Sequence, residues 1–231
     1  MKKFRSFFFR FLKYFFIFFF GSSVFFVLLY RFVNPPVTPL MVIRVTQQLF
    51  SGERLKIHKD WQSLDHISPS LQLAVVASED NRFTEHHGFD FKAIDKAKDY
   101  NEKEKGKKIR GASTISQQTA KNVFLWPDRT WVRKGLEVYF TFLIELTWSK
   151  KRIMEVYLNV IEMGDGIYGA EAASQKYFHK HADALSGKEA ALLAACLPNP
   201  RKSDPGHPSA YLLAREQWIL WNSANIGKIV Y

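Results

Sequence analysis

Three stretches of this sequence carry side chains whose types and spacing suit proton and anion chemistry. The first runs from Glu79 and Asp80 through Phe83 and His86 to Gly88. It sets a carboxylate at a helix end beside an aromatic ring, a histidine and a turn glycine, which is how a carboxylate is held ready to take a proton. The second is Gly111-Ala112-Ser113-Thr114-Ile115-Ser116-Gln117-Gln118-Thr119-Ala120-Lys121-Asn122. Ser113, Gln117 and Lys121 recur every four residues, so on a helix they share one face and offer hydroxyl, amide and ammonium donors to sugar and phosphate oxygens. The third is Arg129 followed by Arg133, Lys134 and Glu137, with Glu145 two turns further on the same side. Read alone, the third is a salt-bridged helix, and the first two also fit a polar helix end and a solvated face.

The elements that must position these groups are helical. Pro69 to Ala77 reads as a helix that delivers Ser78, Glu79 and Asp80 to its C-terminal end, and Phe91 to Tyr100 as another before a lysine-rich loop. Gly111 to Asn122 and Trp131 to Met163 are helical by pattern, the latter with Leu136, Phe140, Leu143, Ile153, Val156 and Val160 at spacings of three and four. Ala170 to Phe178, Gly187 to Leu197 and Ser209 to Trp221 complete a mostly helical domain. Gly164-Asp165-Gly166-Ile167-Tyr168-Gly169 fits the G-x-G-x-x-G of dinucleotide sites, but it follows an amphipathic helix rather than a strand, and it reads as a tight helix-to-helix turn. His86-His87 and His179-x-His181 lack the helical spacing and the cysteines of a closed zinc site, so they read as surface or hydrogen-bonding histidines. Cys196, the single cysteine, lies among apolar neighbours and reads as an inert core thiol.

Of 231 residues, the first 33 stand apart. Ten of the 21 phenylalanines fall in the first twenty positions, and no charge interrupts Tyr14 to Tyr30, which with Phe32 and Val33 gives about the 20 residues a helix needs to cross a bilayer. Lys2, Lys3, Arg5, Arg10 and Lys13 precede the span without an acidic residue, which places the N-terminus in the cytoplasm and the remainder across the membrane. The apolar run is longer and bulkier than a cleaved signal peptide and ends without a small-x-small site, so a retained anchor is expected. The net charge of +11 divides into +6 for this segment and +5 for the rest, whose basic excess concentrates between Lys92 and Arg110. Such a run reads as a solvated loop or as contact with anionic headgroups or a phosphorylated substrate; nucleic acid is a poor partner for a domain held outside the cytoplasm. Pro35, Pro36 and Pro39 make a spacer. The expected organisation is a cytoplasmic tail over 1–13, a transmembrane helix over 14–33, a linker over 34–45 and one domain over 46–231. Apolar residues at 47% and charged residues at 24% exclude a wholly disordered chain and a polytopic membrane protein.

Taken together the three clusters resemble the peptidoglycan glycosyltransferases of glycosyltransferase family 51, in their single-module, membrane-anchored form. E-D-x-x-F-x-x-H-x-G matches Glu79, Asp80, Phe83, His86 and Gly88; G-A-S-T-I-x-Q-Q-x-x-K-N matches Gly111 to Asn122; R-K-x-x-E matches Arg133, Lys134 and Glu137. Further matches are Ser149-Lys150, Glu155-x-Tyr157-Leu158-Asn159, Tyr168-Gly169-x-Glu171-Ala172-Ala173 and Glu189 to Ala194, so the resemblance spans roughly 70 to 205. No S-x-x-K or K-T-G of a transpeptidase occurs.

The resemblance implies an all-α, lysozyme-like domain that polymerises lipid II into β-1,4 glycan at the bacterial cytoplasmic membrane, with the domain in the periplasm. It implies Glu79 as general base and Glu137 as a second carboxylate on the donor side. Lys121, Arg129, Arg133 and Lys134 are expected to neutralise the departing pyrophosphate, with Mg²⁺ or Mn²⁺ as an optional aid and no organic cofactor. Ser113, Gln117, Gln118 and Asn122 are expected to touch sugar or phosphate, while Asp80, Phe83 and His86 shape the loop around Glu79. A smaller membrane-proximal lobe is expected around 90 to 125, with the segment Phe91 to Arg110 mobile near the headgroups. Expected partners are lipid II, the lipid-linked glycan, the membrane and other wall-synthesis or division proteins. Two rivals fit the same helical class: a lysozyme-like hydrolase or lytic transglycosylase, and an anchored scaffold that binds lipid II without turnover. The cations speak against the hydrolase, because cleaving a glycosidic bond offers them no pyrophosphate.

Overall fold

The computed structural model describes residues 2–52, 54–104 and 111–231, and it divides into two units, Met1–Asn34 and Pro35–Tyr231. The first unit is one helix, α1 (Lys2–Phe32), so the expected tail and span are continuous. Its stretch from Phe4 to Phe32 is long and apolar enough to cross a membrane. At 1.5 Å per residue it measures roughly 43 Å, more than the ~30 Å hydrocarbon core, which leaves its basic first turns at the headgroups.

The second unit starts earlier than the spacer prolines suggest. Thr38 accepts the Met41 amide and Pro39 takes the first helical position, where its missing N–H costs nothing, so α2 (Pro39–Ser51) absorbs half of the expected 34–45 linker. Leu40 and Met41 bury against Tyr168. The chain continues through β1 (His58–Lys59), α3 (Pro69–Glu79), α4 (Phe91–Lys103), α5 (Ile115–Phe124), α6 (Trp131–Thr147) and α7 (Lys150–Val160). It then forms β2 (Glu162–Gly164) and β3 (Ile167–Tyr168) and ends in α8 (Ala170–Phe178), α9 (Gly187–Cys196) and α10 (Ala210–Ile226). The domain is mostly helical, as a lysozyme-like domain is.

Helices α3, α9 and α10 pack together, and so do α5, α6 and α7. The innermost is α7, whose Ile153, Met154, Tyr157, Leu158 and Val160 are all fully buried. Its Asn159 fastens the preceding segment by accepting from the Gln62 amide and donating to the Gln62 carbonyl, each at 2.8 Å. In place of one helix over 131–163 there are two, because Trp148 buries in an extended conformation and Ser149 caps α7 by accepting the Arg152 amide. The lysine-rich region is helical to Lys103 and buries only Ala97; residues 105–110, the rest of the segment expected to be mobile, lie outside the described residues.

The glycine-rich motif is not a helix-to-helix turn but a hairpin. β2 and β3 are antiparallel around Asp165-Gly166, and β1 joins β3 in parallel through His58 N–H to Gly166 O at 2.8 Å. Gly169 has φ +85° and would place a Cβ 2.9 Å from the Asn159 carbonyl oxygen, and Gly166, at φ +72°, one 2.4 Å from Lys56 O. These glycines serve chain packing, not a phosphate. Gly169→Ala is therefore expected to cost about 2 kcal/mol or more. In a domain of this size that is a melting temperature lower by about 4–8 °C, read by circular dichroism.

Candidate active site

Glu79 ends α3. Ser68 caps that helix and Pro69 opens it, while Leu71, Ala74, Val75 and Val76 hold it in the core, so its last residue is set by a rigid element. The Glu79 side chain is half-buried and both oxygens are engaged: Oε1 accepts from Ser78 Oγ at 3.2 Å and Oε2 from Gln118 Nε2 at 2.9 Å. Gln118 is oriented in turn by Tyr157, whose hydroxyl donates to its Oε1 at 3.3 Å. Burial, with Glu79 and Asp80 nearby, pushes the Tyr157 phenol well above its ordinary range, which keeps it a donor. Each Glu79 oxygen retains a lone pair for a proton from a substrate hydroxyl.

Behind Glu79, Asp80 is buried and binds three elements together. It accepts from His86 Nε2 at 2.9 Å and from the Ile115 amide, the first of α5, at 3.0 Å. Thr114 then caps α5 in a box with Gln117 and donates its hydroxyl to Gly88 O at 2.7 Å. Phe83 is fully buried, with Lys150 Nζ 4.7 Å from its ring centre. Asp80, Phe83 and His86 thus sit behind and under Glu79, holding the loop that leaves it.

Two cavities flank this carboxylate. The larger, about 980 Å³, is lined by Glu79, Arg82, Lys92, Lys96, Ser113, Arg215 and Trp218 among others. The smaller, about 390 Å³, is lined by Gln118, Lys121, Asn122, Arg129 and Arg133, with Arg44 and Glu162 also in its wall. Gln118 borders the second cavity and bonds the carboxylate that borders the first, so Glu79 stands at their junction.

The smaller cavity is cationic. Arg133 and Lys134 each reach Glu137 at 2.5 Å, one on each oxygen, and Glu137 is buried. Lys121 has no ion-pair partner among the described residues. Burial lowers its pKa, the attraction of Glu137 opposes that, and Arg133 and Lys134 add to the lowering. Cys196 is buried and its thiol pushed up to about 11, so it offers no nucleophile.

The shared face of Ser113, Gln117 and Lys121 does not form. Ser113 precedes the Thr114 cap and lines the larger cavity, Gln117 is buried with its side chain spent on the capping box, and Lys121 lines the smaller cavity. An i+4 count presumes that all three positions are helical, and a Ser-Thr pair before an apolar residue is itself a capping signal. Lys134 lies beside Glu137 and not among the cavity-lining residues. Sequence reasoning missed Arg215 and Trp218, which lie on α10 beyond the motifs, and Arg44 on α2. It also gave Tyr157 no role, although the residue lies in a matched motif. Only contacts across the fold identify these four.

The profile of the Transglycosylase family matches residues 46–224. Among curated proteins, the biosynthetic peptidoglycan transglycosylase of Bdellovibrio bacteriovorus is 62% identical over 202 residues, 87% of this chain and 80% of that protein. Its namesake from Bacteroides thetaiotaomicron is 62% identical over 204 residues, 88% of this chain and 82% of its own. That of Xanthomonas campestris is 51% identical over 208 residues, covering 90% and 84%. Matched over most of its length by the family profile and by relatives of 51–62% identity, the chain belongs to the transglycosylase family, whose members build peptidoglycan glycan.

Proposed function

We propose that this enzyme joins lipid-linked disaccharides with Glu79 as the base, the smaller cavity receiving the donor's pyrophosphate and the larger one the acceptor sugar. Both substrates are then lipid-bound, and the apolar helix α1 confines the enzyme to their surface, which raises encounter and limits orientation. The basic residues ahead of the span favour a cytoplasmic N-terminus and a domain on the outer side of the cytoplasmic membrane. The observation that carries the reading is the placement of a carboxylate, oriented by Gln118 and Ser78, at the junction of two cation-bearing cavities.

The step needs one base. Glu79 takes the proton of the acceptor 4-hydroxyl as its oxygen attacks the donor anomeric carbon. The bond from that carbon to the phosphate oxygen breaks, its electron pair leaves with the pyrophosphate, and the α linkage inverts to β. A pyrophosphate departs as an anion, so no second carboxyl group is needed to protonate it, unlike the alkoxide of a glycosidase. Lys121, Arg129 and Arg133 supply positive charge where negative charge develops. Glu137 holds Arg133 and Lys134 in place. Asp128 and Glu162 are the acids in this pocket's lining, and the described residues contain no group of three His, Cys, Asp or Glu able to hold an ion, so a divalent cation here would be one carried by the pyrophosphate.

Glu79→Gln is expected to keep lipid II affinity and lose about 10³-fold in polymerisation, or roughly 4 kcal/mol of barrier, measured by sizing glycan made by detergent-solubilised protein. Wild-type cleavage of preformed glycan without polymerisation would instead assign a hydrolase. A second expectation follows from Lys121, whose charge is lost as pH rises through a value below its ordinary 10.5. The alkaline fall of kcat/KM for lipid II begins below that value in the wild type and moves upward in Lys121→Arg. For folding the sign is opposite: the buried ammonium is a cost below the lowered pKa, relieved between it and 10.5.

A further inference from the structure

Arg44 lines the smaller cavity from α2, outside the family motifs. It lies four residues after Leu40, which lines the same cavity, so the two share the face that α2 presents there. Its partner is Glu162 in β2, buried to 7% exposure, and the pairing is incomplete. Arg44 Nη2 stands 3.5 Å from Glu162 Oε2, at the long limit of a hydrogen bond, and Nη1 donates to Gln47 Oε1 at 3.1 Å. Arg44 Nε and Glu162 Oε1 are both buried and have no partner. Burial raises the Glu162 pKa, and Arg44 and Arg201 only partly offset this.

Two residues that line one cavity and pair with each other only loosely, each with a buried polar atom left unpartnered, leave a donor and an acceptor side chain short of partners, which suits a ligand with both functions. Lys121, Arg129 and Arg133 line the same cavity, with Asp128 the other acid in the lining. A phosphate alone would suit Arg44 and be repelled by Glu162. A diphosphate carried on a sugar suits both, because its ionised oxygens meet the guanidinium and a hydroxyl or amide N–H of the sugar meets the carboxylate.

We propose that Arg44 and Glu162 form a second wall of the leaving-group site, Arg44 binding the donor's diphosphate opposite Lys121 and Glu162 holding Arg44 there while accepting from the adjoining sugar. The inference rests on the reading of this cavity as the donor side. It also gives α2 a task that spacer residues would not have: Thr38, Pro39 and the Leu40–Met41 contact with Tyr168 fix the helix that carries the cation.

The test is calorimetric titration of the full chain in detergent micelles with inorganic pyrophosphate. Wild type is expected to bind, Arg44→Gln to bind about tenfold more weakly, Arg44→Lys to fall between, and Glu162→Gln to lose about threefold, with melting temperatures within a few degrees. With lipid II, Arg44→Gln is expected to raise KM about tenfold while kcat changes by less than about threefold, a split that a merely structural role would not give. Wild-type affinity in Arg44→Gln, or no pyrophosphate binding by the wild type, overturns the proposal. So does a parallel loss of kcat and melting temperature. Should Arg44→Gln not fold, Arg44→Lys and Glu162→Gln decide, and unchanged affinity in both overturns it. Pyrophosphate binding that depends on Arg44 in a protein that makes no glycan would leave the site standing and sink the glycosyltransferase reading.

Discussion

A single buried carboxylate, Asp80, determines whether the cleft exists in this form. It receives the His86 imidazole and the first amide of α5, so the end of α3, the loop after it and the start of α5 cannot move independently. Removing it would leave an amide and a ring nitrogen unpaired in the core, which is far costlier than losing a surface contact. The catalytic consequence lies one residue upstream. Glu79 belongs to the helical group α3, α9 and α10, and the amide that orients it, Gln118, belongs to the group α5, α6 and α7. Asp80 keeps those two groups in register at the point where Gln118 meets Glu79.

Around that point the charges are divided by task. Glu79, the base of the proposed reaction, is half-buried and borders the larger cavity with Arg82, Lys92, Lys96 and Arg215, whereas Lys121, Arg129 and Arg133 line the smaller cavity that Gln118 also borders. Lys121 is an ammonium held where burial disfavours its charge, without an ion-pair partner among the described residues. A phosphate arriving there gains from a positive charge already oriented and desolvated. Glu137 fixes Arg133 and Lys134, one on each carboxylate oxygen, so its burial is compatible with a part in the proposed leaving-group site.

Much of this was legible in the sequence, because helices announce themselves locally. The helix from Pro69, the apolar spacing of α6 and α7, the anchor and the carboxylate of Glu79 at a helix end all follow from neighbours within a few residues. What failed was whatever depends on contacts across the fold. The glycines at 166 and 169 read as a helix-to-helix turn until Lys56 and Asn159 are seen to press on their backbone in a hairpin; Ser113 is the exception, because the Thr114 cap that takes the Gln117 amide and keeps Ser113 out of the helix is a local signal. Arg44, Arg215 and Trp218 carry no local signal, since each acquires its meaning only from the helix opposite.

The central claim, that Glu79 divides a leaving-group pocket from an acceptor groove, is tested most directly by a crystal structure with an unreactive lipid II analogue in which a methylene replaces the anomeric oxygen. The diphosphate is predicted to lie against Lys121, Arg129 and Arg133, with the anomeric carbon turned toward Glu79. A diphosphate seated in the larger cavity against Lys92 and Lys96, with the Lys121 pocket empty, would contradict it.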